Sequence, residues 1–220
     1  MKILYVGTLH PSGTCFSRFE SLRALEPDVH GFDTDPVLRF QEMNIFARSI
    51  ERHLAEGPRH AQANAALLAR CRELQPDLVW VDKGDWIRSA TLRALREQGV
   101  FLVHHITDSL FTSHVRSWLR RRLLRSTRSD YDVFFTTNID DPERLVADEP
   151  PRSFLTDLGY AHRRFEPSPL PPELAERWAS DIRFIGHYEP ETGQAIRAVL
   201  DADLPVQVNG PPPWSRMPEA

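Results

Sequence analysis

The chain has little of what marks many functional classes. It carries two cysteines, Cys15 and Cys71, in 220 residues. That is too few for a disulfide framework or a cysteine-built metal motif. Both fall at apolar positions of helical patterns and read as buried thiols. Lysine is nearly absent: Lys2 and Lys83 are the only two, and the other basic residues are arginines. The net charge is −4, which leaves no overall nucleic-acid footprint, and no nucleic-acid partner is expected. No apolar run has the length of a membrane span or of a signal-peptide core. With the cysteine usage, this predicts a cytoplasmic protein. The dinucleotide fingerprint G-x-G-x-x-G and the P-loop are both missing, which counts against a dehydrogenase or an NTPase. No metal cluster is read, so no metal and no bound cofactor are expected.

What is present is a repeating strand–turn–helix pattern. Ile3 to Val6 is a short run of strand formers that stops at Gly7. A polar loop follows, Thr8-Leu-His-Pro-Ser-Gly-Thr14, and then a helical pattern with Cys15, Phe19 and Leu22 inward. This is the opening of a doubly wound α/β domain, where ligands sit beyond the carboxyl ends of the strands. Gly7, Ser12, Gly13 and Thr14 are therefore candidate ligand contacts, with Ser12 or Thr14 expected to cap the helix. Val29 to Phe32 reads as a second strand, with Asp33 and Asp35 in turn roles. Helices are predicted over 37–56 and 60–74. Leu78 to Val81 is a third strand, apolar enough for burial on both faces. A helix follows from Ile87 to Gln98, then a fourth strand from Val100 to His104, a helix over 112–127, a fifth strand at Val133–Phe135 and a short helix at Pro142–Ala147. Phe154-Leu155 is a candidate sixth strand.

From Gly159 the prolines crowd, as in a linker. The α/β signal restarts at Ile182-Arg-Phe-Ile-Gly186, continues as a helix to about Leu200 and adds Val206-Gln-Val208. The expected division is 1–158 as a Rossmann-like doubly wound domain, 159–180 as linker, and 181–220 as the start of a second, incomplete α/β unit.

Three clusters carry chemistry. His104, His105 and Asp108 follow the fourth strand; alternation lets at most one histidine face a ligand, and His105 with Asp108 suits proton transfer from a hydroxyl. Asp82, Lys83, Gly84 and Asp85 follow the third strand; Lys83, Gly84 and Asp85 are candidate substrate contacts. The 112–127 helix is Arg-rich, with Arg121, Arg125 and Arg128 on one face beside Val115, Trp118, Leu119 and Leu123. Such a helix can make weak contact with an anionic membrane, although a solvated basic face is commoner.

The series Met1-Lys-Ile-Leu-Tyr-Val-Gly7 with Arg18 and Leu22-Arg-Ala-Leu25, Pro76-Asp-Leu-Val-Trp-Val-Asp-Lys-Gly84, Thr107-Asp108, Tyr131-Asp-Val-Phe-Phe-Thr-Thr137, Asp181-Ile-Arg-Phe-Ile-Gly-His-Tyr-Glu-Pro-Glu191 and Gly210…Trp214 resembles the N-terminal half of a GT-B glycosyltransferase. The resemblance is nearest to the CgeB-like, spore-maturation branch. It implies two Rossmann-like domains, the first for an acceptor and the second for a nucleotide-sugar co-substrate, with no metal. It adds Arg18 to the substrate contacts, and assigns Gly7, Ser12, Gly13, Thr14, Gly186 and Tyr188 to the donor. Where that family has a basic residue after Glu-Pro-Glu, this chain has Thr192-Gly193. The resemblance also implies that the donor site lies largely in the unfinished second unit, so that the 220 residues are expected to be inactive alone. Two readings stay open beside it: a non-catalytic binding module derived from such a domain, and another nucleotide-binding doubly wound protein.

Overall fold

The computed structural model describes residues 1–38, 44, 51, 57–111, 122–139, 141, 152–157, 169–186 and 188–210. The expected helices at 37–56 and 142–147 and the first part of the one at 112–127 lie largely outside these residues. The chain divides into two compact units, Met1–Phe165 and Glu166–Ala220.

The first unit is built on β1 (Ile3–Gly7), β2 (Val29–Asp33), β3 (Leu78–Asp82), β4 (Phe101–Ile106), β5 (Val133–Thr136) and β6 (Arg152–Leu155). They form one parallel sheet in the order β2-β1-β3-β4-β5-β6. The described helices of this unit are α1 (Thr14–Leu25), α2 (Asp35–Leu38), α3 (Pro58–Leu74) and α4 (Ser89–Glu97). Residues 122–127 are helical and run into a 3-10 turn at Arg128–Asp130.

Alternation along each strand sorts the side chains into two cores. On one face Leu4, Val6, Val79, Val81, Leu102 and Phe134 pack against Leu67 and Cys71 of α3 and Leu92 and Leu95 of α4. On the other, Ile3, Tyr5 and Val29 pack against Cys15 and Phe19 of α1. The first face is closed over β1, β3, β4 and β5 but not over β6, where Leu155 is exposed. The second is closed over β1 and β2 but only partly over β3, where Leu78 and Trp80 stay half-buried. The expectation of a β3 buried on both faces therefore holds for Val79 and Val81 alone. Register lines up Asp82, His105, Phe135 and Phe154 as one row across β3, β4, β5 and β6. The row runs from a fully buried carboxylate to a phenyl ring 47% exposed.

β4 is longer than its apolar run suggested: it continues through His105 and Ile106. Histidine on a buried strand face is accommodated by polar neighbours, and the end of β3 and the loop after it supply them: the Lys83 carbonyl for His104 and the Asp82 carboxylate for His105. Because the sheet is parallel, Gly7, Lys83, Asp108 and Thr136 all fall at its carboxyl edge, as the strand–turn pattern predicts.

The second unit holds α5 (Pro172–Trp178), β7 (Ile182–Ile185), α6 (Pro190–Asp201) and β8 (Val206–Asn209), with β7 and β8 a parallel pair. The segment read as linker thus contains a helix. Proline at a first-turn position costs no hydrogen bond, since that N–H has no intrahelical partner anyway. Only Gly193 and Ile196 of α6 are buried, and Ile185 is 70% exposed. No described helix is long and apolar enough to cross a membrane.

Candidate functional site

The carboxyl edge of β3 carries the most constrained chemistry in the described residues. Asp82 ends the strand with its side chain fully buried. Arg18, one turn into α1, approaches it side-on: Nε donates to Oδ2 at 2.6 Å and Nη2 to Oδ1 at 3.0 Å. Tyr5, on β1, donates its hydroxyl proton to Oδ2, with the Cys15 carbonyl 2.9 Å from the same hydroxyl. His105 Nδ1 stands 3.7 Å from Oδ1, outside hydrogen-bonding distance, and is buried without a partner.

A carboxylate taken out of water resists ionisation. Here burial pushes the Asp82 pKa up, but His105, Arg18 and Tyr5 outweigh it and hold the carboxyl below its ordinary range. Burial acts against the Arg18 charge too, and the Asp82 bonds overcome it, so Arg18 stays a cation. Tyr5 is pushed up, first by burial and then by the Asp82 charge. The cluster is therefore an Arg⁺–Asp⁻ pair with a phenol fixed as donor. The sequence pattern places Asp82 in the charged loop after the third strand without a role of its own. Arg18 was assigned to substrate; in the structure two of its nitrogens are committed to Asp82.

The neighbouring histidine behaves differently. His104 points to the opposite face, fully buried. It stacks on Phe134 at 4.5 Å and meets Tyr131 edge-on at 4.9 Å. Its Nε2 lies 2.8 Å from the Lys83 carbonyl oxygen. A carbonyl only accepts, so Nε2 carries the proton. Burial pushes the His104 pKa down to about 4, which keeps the ring neutral near pH 7.

The loop after β3 turns on two successive left-handed residues, Lys83 (φ 74) and Gly84 (φ 52). Gly84 is required there: a Cβ would lie 2.4 Å from Val81 Cγ1. The Lys83 N–H donates to the His105 carbonyl at 2.9 Å. Lys83 is exposed and Asp85 half-buried. Farther along, Asn64 of α3 accepts from the Arg88 N–H at 2.9 Å and the Thr91 hydroxyl at 2.7 Å, and donates to the Trp86 carbonyl at 3.1 Å.

Asp108 lies two residues beyond β4 and is half-buried. Its loop is tied down by Asp141, which accepts from Ser109 Oγ (3.0 Å), the Leu110 N–H (3.2 Å) and Thr136 Oγ1 (3.0 Å). The carboxylate beside His105 Nδ1 is that of Asp82.

In the β1–α1 loop, Gly13 is the N-cap of α1 and no side chain caps the helix. Ser12 Oγ instead pairs with His10 Nδ1 at 2.6 Å, and Thr14 Oγ1 accepts from Arg18 Nη2 at 3.5 Å. The expected capping by Ser12 or Thr14 is thus absent. Gly7 sits in tight contact, its Cβ direction 3.3 Å from Asp82 Cβ. Asp33 takes its turn role, accepting from the N–H groups of Leu9 (3.1 Å) and Asp35 (3.2 Å). In the second unit the Gly186 N–H donates to the Asn209 carbonyl at 3.0 Å. The Tyr188 ring packs over Gly193, where a Cβ would come within 2.7 Å of it.

Arg128 is buried and Arg125 Nη1 donates to the Leu110 carbonyl at 3.0 Å. Arg125 itself is half-buried, and Arg121 lies outside the described residues. Among the described residues no three His, Cys, Asp or Glu side chains converge as a metal-ligating group.

No family model matches the chain, and no curated protein matches it in sequence. Solved structures with a similar fold include the UDP-GlcNAc 2-epimerase from Neisseria meningitidis bound to UDP-GlcNAc (TM-score 0.61, 14% identity, 96% of this chain, 66% of that one). The UDP-N-acetylglucosamine 2-epimerase from Rickettsia bellii aligns over 99% of this chain and 64% of its own, with TM-score 0.54 and 12% identity. A UDP-glucosyltransferase from Polygonum tinctorium capable of glucosylating indoxyl aligns over 96% of this chain and 72% of its own, with TM-score 0.52 and 8% identity. The chain spans just under two thirds of the length of these two epimerases. What it shares with all three is the fold: a Rossmann-like α/β arrangement on a parallel sheet, of the GT-B kind.

Proposed function

We propose that the chain is the acceptor-side part of a nucleotide-sugar-dependent glycosyltransferase. The observation that carries this is the ionised, buried Asp82 beside His105 at the carboxyl edge of a parallel sheet, where this architecture puts its ligands. In this reading His105 touches the acceptor and removes the proton of its hydroxyl as that oxygen bonds to the anomeric carbon and the nucleoside diphosphate leaves. Asp82 is a positioning residue: its fixed negative charge orients the imidazole and stabilises the imidazolium that forms. Asp108 is a second carboxylate at the same edge. Gly7, Ser12, Gly13, Thr14, Gly186 and Tyr188 are the donor contacts in this reading. A place in the CgeB-like branch is part of this proposal and rests on the sequence stretches given above. A cytoplasmic location accords with the cysteine usage.

A second reading is favoured by the fold likeness. The epimerases align with TM-scores of 0.54 and 0.61, against 0.52 for the transferase. Under it, the same base would act on the sugar carbon of a nucleotide-sugar with no acceptor present.

One experiment separates them. The protein is incubated with UDP-GlcNAc or UDP-glucose, with and without a panel of hydroxyl acceptors, and followed by NMR with saturation transfer to detect weak binding. UDP release that depends on an acceptor supports transfer. Appearance of a second UDP-sugar without acceptor supports epimerisation. Binding of no nucleotide-sugar overturns both and leaves the non-catalytic reading; binding of a nicotinamide cofactor instead favours the other nucleotide-binding class.

A further inference from the structure

Lys83 occupies a backbone conformation that suits glycine. With φ 74 it lies in the left-handed region, immediately before a second left-handed residue, Gly84. A side chain there is strained, and such strain persists where the surroundings over-determine it, most often at functional sites. The surroundings here do so at every step. The Lys83 N–H is held by the His105 carbonyl and the Lys83 carbonyl by His104 Nε2–H. The Gly84 carbonyl accepts from the Ile87 N–H at 3.1 Å, and Asn64 fixes the Trp86 carbonyl and the Arg88 N–H.

Loops are ordinarily the mobile parts of a domain. This one is pinned to the core along most of its length, yet the side chain at its most strained position is exposed. The Lys83 ammonium makes no hydrogen bond or ion pair among the described residues, whereas Arg18 on the same edge is committed to Asp82. A strained, rigid turn that ends in an uncompensated cation is what recognition of an anion requires.

We propose that the Asp82–Arg88 loop is a preformed site for a phosphate-type anion, with Lys83 as the binding cation and His104 as the positioning residue that holds it. The ligand group is the diphosphate of the donor or a phosphate on the acceptor. This rests on the nucleotide-sugar reading for its biological ligand, but not for its test.

The chain's two lysines make the test direct. Acylation of the amines is followed by mass spectrometry, with Lys2 as the internal reference; its ammonium is bonded to the Leu74 carbonyl at 3.0 Å. Inorganic phosphate, pyrophosphate and UDP are the probes. Saturable slowing of Lys83 acylation relative to Lys2 is expected. Slowing by pyrophosphate and UDP alone identifies the donor diphosphate; equal slowing by phosphate identifies a phosphorylated acceptor. Lys83→Gly is expected to raise the unfolding midpoint while abolishing pyrophosphate binding in calorimetry. His104→Phe, which keeps the stacked ring but loses the donor, is expected to lose the protection while Lys83 is still present; wild-type protection and Lys83→Gly decide the matter if that variant does not fold. No protection by any probe, or pyrophosphate binding retained in Lys83→Gly, overturns the proposal. Protection by pyrophosphate with no nucleotide-sugar bound sinks the donor reading and spares the anion site. Nucleotide-sugar binding without protection does the reverse.

Discussion

On one face of β4, His104 lies sealed between Phe134 and Tyr131 and serves as a neutral donor to a carbonyl. On the other face, one residue later, His105 stands beside an ionised carboxylate. The residue type is the same and the backbone positions are adjacent. The difference comes from the pleat, which turns successive side chains to opposite faces, and from what each face collects. The His104 face gathers aromatic rings and α3 and α4. The His105 face gathers Asp82, Tyr5 and, from α1, Arg18. One histidine serves to shape a loop; the other is left with chemistry to do.

The sharpest way to break this contrast is to remove Arg18. Arg18→Met leaves Asp82 buried without its cation, and loss of one partner of a buried pair costs about 3–5 kcal/mol. Denaturant unfolding measures it. Arg18→Met with Asp82→Leu should recover much of the loss, since a paired apolar replacement leaves no orphan charge. If the single variant loses under about 1 kcal/mol, Asp82 is solvated and the cluster is not the closed unit described.

Acid titration tests the other face. His104 is held below its ordinary value of 6.5, at about 4, so the unfolded chain binds the proton first as pH falls. Stability is full above pH 6.5 and is lost between 6.5 and 4, by about 3 kcal/mol. His104→Phe should flatten that window. Asp82 is also held low, but its loss begins only below its ordinary value of 3.8. Wild type should therefore lose stability in two phases, and the variant should lose less in the first, keeping there the part due to His60, which burial also holds low. A single phase below pH 4 in wild type would contradict the neutral, sealed His104.

The smallest effect concerns Tyr5. Tyr5→Phe removes one donor to a charged acceptor and should cost about 2 kcal/mol, with the Arg18 bonds intact. Read together with Arg18→Met in a double-mutant cycle, it should show strong coupling; additive losses would mean the two contacts are independent.

Much of this architecture was legible in the sequence. Ile3–Val6, Leu78–Val81 and Ile182–Ile185 are apolar runs bounded by turn residues, so strand identity is local information. Gly84 and Asp33 declare their turns by residue type. The end of β4 was hidden because His104 and His105 are polar letters, and their strand state depends on neighbours supplied from β3 and β5. The helix at Pro172–Trp178 was hidden because prolines clustered around it read as linker, although proline suits a first turn. Asp82 was seen as one acid in a charged loop. That it receives Arg18 and Tyr5 depends on β3 lying beside β1, and that adjacency is written in no local pattern. A cue did exist: an acid two residues after Trp80 must share its face, and Tyr5 and Arg18 both fall on the strand and helix that open the chain.

The Asp82 cluster has a consequence for how the chain finds its fold. Its three main members come from β1, α1 and β3, with Tyr5 and Arg18 distant from Asp82 by 77 and 64 residues. Apolar runs such as Leu78–Val81 would tolerate pairing with β1 one residue out of step, because valine and leucine suit either face. Asp82 does not tolerate it. A slip of one residue turns its carboxylate into the opposite core, toward residues such as Val6 and Phe134, with no cation and no phenol to receive it. The cluster thus acts as a proofreader of strand register, admitting the correct pairing and rejecting its nearest competitor. β1 is an interior strand that holds β2 as well as β3, and the check requires closing the loop of 77 residues between Tyr5 and Asp82.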